Sequence, residues 1–318
     1  MVTYLARRLA FALLLVFAVS SASLVLARLA PGDYTTESLG IEAHRETVAQ
    51  ARARYGLDRS IGAQYGDWLA RAARLDFGRS LLYDRPVSDL IPERAANTAA
   101  LALTALVIAT LIGLPLGVVT GSRRGSVLSA SVRAASLLLL SMPPLLTSLF
   151  LIFVAARTGW LPIAGMRSAD APGSGVTVDL LRHLVVPAAA LALPMAAMFE
   201  RLQSQAMADA VSEPFIQAAR ARGVPWPRIV WRDALKAAAR PIAAVYGLVI
   251  GTLLSGSFVV EVITAWPGLG RLMLDALRAR DVYLVAGCAG AGAIFLAAGT
   301  LVSDAALAWV DPRAGEPQ

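Results

Sequence analysis

The chain carries little charge for its length and few of the residues from which catalytic or metal sites are commonly built. Its 318 residues include one cysteine, two histidines and only 16% Asp, Glu, Lys and Arg. Cys288 stands alone inside an apolar run, which excludes a disulfide framework and any zinc-type set of paired cysteines. The only lysine, Lys236, follows Leu235, so there is no G-x-x-x-x-G-K-[ST] loop in which a lysine could reach nucleotide phosphates. The chain therefore cannot itself be a P-loop ATPase. His44 lies in a long polar stretch and His183 at the edge of an apolar one, and neither offers Ser255 or Ser257 a base in an apolar segment. A membrane hydrolase is accordingly disfavoured.

What the chain has in excess is apolar length, with 57% hydrophobic residues gathered in long runs rather than alternating with charge. A helix needs roughly 20 mostly apolar residues to cross about 30 Å of hydrocarbon. Six segments approach or reach that length: Leu9 to Leu29, Thr98 to Val119, Ala134 to Ala156, Leu184 to Phe199, Ile242 to Val260 and Val282 to Val302. They predict an all-α polytopic membrane protein with six transmembrane helices. The first could be a signal peptide behind Arg7 and Arg8, but its apolar stretch exceeds the roughly 7–15 residues of such a segment and five more spans follow.

The net charge of +7 could suit nucleic acid, yet the basic residues flank apolar segments instead of clustering on a soluble domain. The expected partner is the lipid bilayer, and no nucleic acid. Short loops rich in Arg and Lys stay cytoplasmic. Arg7, Arg8, Arg123, Arg124, Arg133, Arg201, the basic residues from Arg220 to Arg240, and Arg313 outnumber Arg157, Arg167, Arg182, Arg271, Arg278 and Arg280 on the other side. Both termini are expected in the cytoplasm. The chain then divides into residues 1–29 with the first span, an extracytoplasmic region 30–97, a core 98–308 with a cytoplasmic loop 202–241, and a tail 309–318.

In the region 30–97, Pro31-Gly32 ends the first helix, and Gly56, Gly62, Gly66 and Gly78 punctuate short amphipathic stretches. Within the spans, Pro115, Pro143-Pro144, Pro187 and Pro194 interrupt helical hydrogen bonding. Gly247, Gly251 and Ser255 form one small-residue face suited to a neighbouring helix of this bundle or of a second subunit, and Gly287, Gly290 and Gly292 are similar. Glu200, Arg201, Glu261 and Asp304 fall near span ends, where an interfacial placement is expected. No charge sits deep in a span, so a proton or ion relay is not evident and energy enters from elsewhere.

The loop 202–241 reads as helix, turn and helix. Ser212 is a cap candidate for a helix whose first turn holds Glu213 and Pro214, and Arg220 and Arg222 suit its negative end. Gly223 supplies the stop. Pro225 and Pro227 bracket Trp226, and a second helix is expected from Arg228 to Arg240, before Pro241. Phe215, Ile216, Ala218 and Ala219 give the first helix an apolar face ringed by arginine, the mark of a docking surface.

The stretch Glu213-Pro-Phe-Ile-Gln-Ala-Ala-Arg-Ala-Arg-Gly223 resembles the EAA loop of ABC importer permeases, closest to the dipeptide/oligopeptide/nickel family. The likeness runs through Arg28-Leu-Ala-Pro-Gly-Asp33, Asp76-Phe-Gly-Arg-Ser80, Gly113-Leu-Pro-Leu-Gly117, Gly159-Trp-Leu-Pro162, Trp266-Pro-Gly-Leu-Gly-Arg271 and Asp311-Pro-Arg313. The resemblance implies a type I importer half that works with a second homologous permease subunit, two cytosolic ATPases and an extracytoplasmic solute-binding protein. It implies no cofactor on this chain, with ATP and Mg on the ATPases, and no catalytic residue. It assigns ATPase coupling to Phe215, Gln217, Ala218, Ala219, Arg220 and Gly223. Gln217 stands where the general motif has glutamate. Peptides are the implied substrate, with nickel chelates, glutathione or sugars as alternatives; an ion-coupled carrier is a remote one.

Overall fold

The computed structural model describes residues 2–39, 45–168 and 176–310. His44, Arg313 and residues 311–318 of the tail lie outside them. Among the described residues the regular elements are helices: α1 Val2–Leu29, α2 Tyr34–Leu39, α3 Arg45–Arg54, α4 Ile61–Ala72, α5 Val87–Ser122, α6 Val127–Leu140 and α7 Pro144–Thr158. They continue with α8 Val176–Ser212, α9 Pro214–Ala221, α10 Trp226–Arg228, a π-helical turn Ile229–Ala234, α11 Leu235–Ile263, α12 Leu269–Arg278 and α13 Val282–Val310. Four of them, α1, α5, α8 and α13, are long and apolar enough to cross a membrane, and the number rises to six if each of two bent pairs counts as one span.

The third expected span is one of these pairs. A continuous helix over Ala134 to Ala156 does not form, because α6 ends at Leu140 and α7 restarts at Pro144, with 105° between them. The Pro143 ring pushes Met142 away from the α region, and Pro143 itself is extended at φ −59°, ψ 149°. Pro144 then fits the first helical position, where its missing N–H costs nothing. Pro187 and Pro194, by contrast, sit inside the 37-residue α8 without ending it. Gly62 and Gly66 likewise lie within α4, whereas Gly56, just after α3, and Gly78, in the irregular segment after α4, adopt positive φ.

The chain forms two compact units, Met1–Thr98 with Pro267–Ala297, and Ala99–Trp266 with Ala298–Gln318. In the first, α4 lies against α1, with Leu24, Trp68 and Ala286 buried together and the Tyr65 hydroxyl 3.1 Å from Ser21 Oγ. Gly287 and Gly290 permit close contacts of α13, since a Cβ on them would stand 2.5 Å from Val87 Cγ1 and Ser20 Oγ respectively; Gly292 meets nothing.

Asp281 joins the segment after Gly78 to the start of α13. Its fully buried carboxylate accepts hydrogen bonds from Ser80 Oγ (2.6 Å), the Leu82 N–H (3.0 Å) and the Leu284 N–H (3.1 Å), the last capping α13. Asp281→Ala strands three donors, so a loss of about 3 kcal/mol or more is expected. Rapid proteolysis near residues 79–86 in detergent-solubilised protein is the readout, with Asp281→Asn milder because its amide oxygen still accepts.

In the second unit, α8 packs along α5 through Gly113, Gly117 and Gly121. A Cβ at Gly113 would meet the Ala196 carbonyl at 2.5 Å, and one at Gly117 would meet Gln203 Cβ at 2.5 Å and the Glu200 carbonyl at 2.6 Å. Beside this seam Phe199 stacks on Tyr246, whose hydroxyl lies 2.8 Å from Thr110 Oγ1. Glu200 and Glu261, expected near span ends, are both buried against other helices of the chain. Glu200 is 1% exposed and accepts a 2.5 Å hydrogen bond from Thr120 Oγ1, and Glu261 is fully buried. The reason is length: α8 runs on to Ser212, so Glu200 sits mid-helix and faces α5 instead of solvent. His183 is also buried, with Nδ1 2.8 Å from the Asp179 carbonyl.

Candidate functional site

The loop expected between two spans is less a loop than a rigid corner. Its first part, residues 202–212, is the end of α8, and only Glu213 separates α8 from α9. Ser212 does not cap α9; its hydroxyl donates back to the Asp209 (2.7 Å) and Ala208 (3.2 Å) carbonyls of the helix that it ends. Glu213 takes the N-cap position through its backbone carbonyl, which accepts from the Ile216 and Gln217 N–H groups. Pro214 follows at the first helical position.

At its other end α9 closes as the sequence suggests. Gly223 has φ +76°; its N–H donates to the Arg220 carbonyl (3.0 Å) and the Val224 N–H to the Ala219 carbonyl (3.2 Å). This pair of bonds is the Schellman arrangement, in which a left-handed residue after the helix satisfies its last carbonyls. The Arg220 guanidinium lies over the Trp226 ring at 5.6 Å, tying the end of α9 to α10.

The apolar residues of α9 divide by helical spacing. Ile216 (1% exposed) and Ala219 turn inward onto Val118, Met207, Ala210, Ile229, Val230, Ala234 and Ala238, so α9 is seated on α5, α8 and the start of α11. Phe215 (49% exposed), Ala218 and Arg222 follow one another on the outward side. Of the expected coupling residues, Phe215 and Ala218 therefore present surface, Ala219 seats the helix, Arg220 holds Trp226 and Gly223 shapes the end.

Gln217 donates its amide N–H to the Ser212 carbonyl (3.1 Å), satisfying an acceptor at the end of α8. A carboxylate there could not donate and would face the negative end of α8. Gln217→Glu is expected to loosen the corner by about 1 kcal/mol, seen as faster amide exchange across 214–221.

The second helix does not begin at Arg228 and stop before Pro241. A π-helical turn over Ile229–Ala234, marked by the Leu235 N–H bonded to the Val230 carbonyl, leads directly into α11, which bends by 47° at Pro241, the expected stop, and continues to Ile263. The wider turn buries Ile229, Val230 and Ala234, spaced i, i+1 and i+5, and leaves Trp231 and Arg232 exposed beside α9. Neither residue is singled out by sequence reasoning, because a 3.6-residue period assigns these positions to other faces.

Comparison with known proteins covers nearly the whole chain. Residues 113–316 match the family model described as binding-protein-dependent transport system inner membrane component, and residues 1–102 match the N-terminal model of the same components. An oligopeptide transport system permease protein of Bacillus subtilis (strain 168) is 31% identical over 98% of this chain and 99% of its own. A putative peptide transport system permease protein of Brucella abortus (strain 2308) is 34% identical over the same shares. A di/tripeptide transport system permease protein of Pseudomonas aeruginosa (strain UCBPP-PA14) is 32% identical over 90% of each chain. With both parts matched in order, and with relatives that align from end to end, the chain belongs to the family of binding-protein-dependent transport system inner membrane components.

Proposed function

We propose that this chain is a permease subunit of an ATP-binding-cassette importer for peptides, and that α9 is its coupling element. The observation that carries the reading is the seated, doubly closed helix α9, which turns Phe215, Ala218 and Arg222 outward at the end of the long helix α8. A short helix held this way passes a push to the membrane segments instead of absorbing it. The peptide substrate is supported by the names of the relatives from Bacillus and Pseudomonas.

The rest of the assembly follows from this reading. Two cytosolic ATPase subunits supply the energy, and this chain itself is non-catalytic. A second permease completes the path, a solute-binding protein delivers the peptide, and six spans with both termini cytoplasmic agree with the excess of arginine on that side. Nucleotide closure drives transport because it favours one arrangement of the membrane helices over the other.

The test is uptake of a labelled dipeptide and a labelled longer peptide into vesicles holding this chain and its co-purifying subunits. Uptake that needs ATP and survives collapse of the proton gradient supports the proposal. Uptake that persists without ATP and fails with the gradient would assign the chain to the ion-coupled carriers.

A further inference from the structure

A cavity of about 590 Å³ opens in the first unit between α3, α4, the segment after Gly78 and the start of α13, and the coupling mechanism does not use it. Four guanidinium groups line it, from Arg54, Arg59, Arg71 and Arg79, against two carboxylates, Asp67 and Asp84. Arg59 pairs with Asp67, and Arg79 Nε lies 2.7 Å from Asp84 Oδ1. Arg54 and Arg71 have no carboxylate partner among the described residues: Arg54 lies over the Tyr55 ring at 6.0 Å, and Arg71 over the Tyr283 ring at 5.6 Å. No carboxylate among the described residues thus answers these two charges; Arg71 Nε donates to the Asp67 carbonyl (3.4 Å), which leaves its terminal nitrogens and the Arg54 fork to suit an anion that offers several oxygens.

Depth narrows the identity of that anion. Tyr65 of α4 bonds to Ser21, and Trp68 of α4 packs on Leu24 and Ala286, all three within segments apolar enough to lie in a membrane. Tyrosine and tryptophan on one amphipathic helix at the ends of spans mark the headgroup level of a bilayer. The cavity is lined by Gln64, Asp67 and Arg71 of this same helix.

We propose that the cavity binds a phosphate group through Arg54 and Arg71, with Arg59 and Arg79 as paired outer charges. At headgroup depth this phosphate belongs to a phospholipid, and free inorganic phosphate is the other source of the same chemistry. The proposal does not depend on the transport reading and needs only that α1 and α13 lie in a bilayer.

The experiment uses the detergent-purified full chain in the assembly that it holds. Native mass spectrometry counts retained phosphatidylglycerol, and thermal shift is recorded with added phosphatidylglycerol in micelles, with inorganic phosphate, and with succinate as a carboxylate control. A lipid site shows retained phosphatidylglycerol and a rise in Tm with the lipid alone, and a soluble-phosphate site shows the rise with inorganic phosphate. In either case Arg54→Gln with Arg71→Gln weakens binding roughly tenfold or more. Asp67→Asn releases Arg59 and tightens it, an increase that a damaged fold cannot imitate. Unchanged binding in the double variant, a response to succinate without one to phosphate, or no response to any anion overturns the proposal.

Discussion

Gly223→Pro is expected to abolish ATP-driven uptake while the chain still reaches the membrane. Proline fixes φ near −65°, whereas this position holds +76°, and it removes the N–H that donates to the Arg220 carbonyl. Both bonds that close α9 are lost together, along with the path that brings Trp226 under Arg220. Space is not the issue, because a Cβ at Gly223 would meet nothing within 4 Å. Gly223→Ala therefore carries only the cost of a left-handed alanine, about 1 kcal/mol, and should keep most uptake. Ala219→Asp tests the seat from the other side by placing a carboxylate in the apolar cluster of Met207, Ile216 and Val230, where burial opposes its charge. Ala218→Asp leaves the seat intact and changes only the outward surface. ATPase activity and uptake measured on the same vesicles separate the cases. In the Pro and Ala219→Asp variants hydrolysis continues without transport, and equal uptake in Gly223→Pro and the parent would remove α9 from the coupling path.

Apolar length and helix-end chemistry made much of this legible beforehand. The spans from Leu9, Thr98 and Val282 coincide with the apolar parts of α1, α5 and α13, because an unbroken run near 20 residues has few other uses. Gly223 was readable as a stop for the same local reason: a glycine after arginines at a helix end needs no tertiary partner to act. What escaped is what depends on neighbours. Pro143-Pro144 and Pro241 look alike as interruptions, yet the first separates two helices at 105° while the second bends α11 by 47° without ending it, since only the paired prolines force an extended residue between helices. The polar end of α8 has no apolar signal and is helical because it rests on α5. The burial of Glu200 is not legible locally because its partner, Thr120, is 80 residues away in sequence. The seam Gly113, Gly117 and Gly121 has the same four-residue spacing of small side chains as Gly247 and Gly251 on α11, and the sequence alone does not say which of the two stripes meets a helix of this chain.

That seam carries the second large effect, in Gly117→Val. A valine Cβ at this position would stand 2.5 Å from Gln203 Cβ and 2.6 Å from the Glu200 carbonyl, and the second of these atoms is backbone that cannot rotate aside. The helices must separate, and in lipid no hydrophobic drive compensates, because association there rests on close packing. Separation also draws Thr120 Oγ1 away from the buried Glu200 side chain, so overpacking of roughly 1–3 kcal/mol is joined by roughly 1–3 kcal/mol for a buried acceptor left without its donor. A total loss of roughly 2–6 kcal/mol is a large share of the stability of an ordinary domain. The expected result is little folded protein in the membrane fraction and accelerated degradation in cells. Thr120→Val separates the two contributions, since it keeps the packing shape, deletes the hydroxyl and should cost about half as much. Gly292→Ala is the matched control: a helical glycine whose Cβ would meet nothing within 4 Å, expected to be neutral or to gain up to about 1 kcal/mol of helix propensity. Because α9 hangs from the end of α8 and is seated partly on Val118 of α5, a seam that forbids sliding keeps these helices moving as one body. A Gly117→Ala protein that still assembles should therefore hydrolyse ATP normally and transport less per ATP; unchanged transport per ATP would show that the seam serves stability alone.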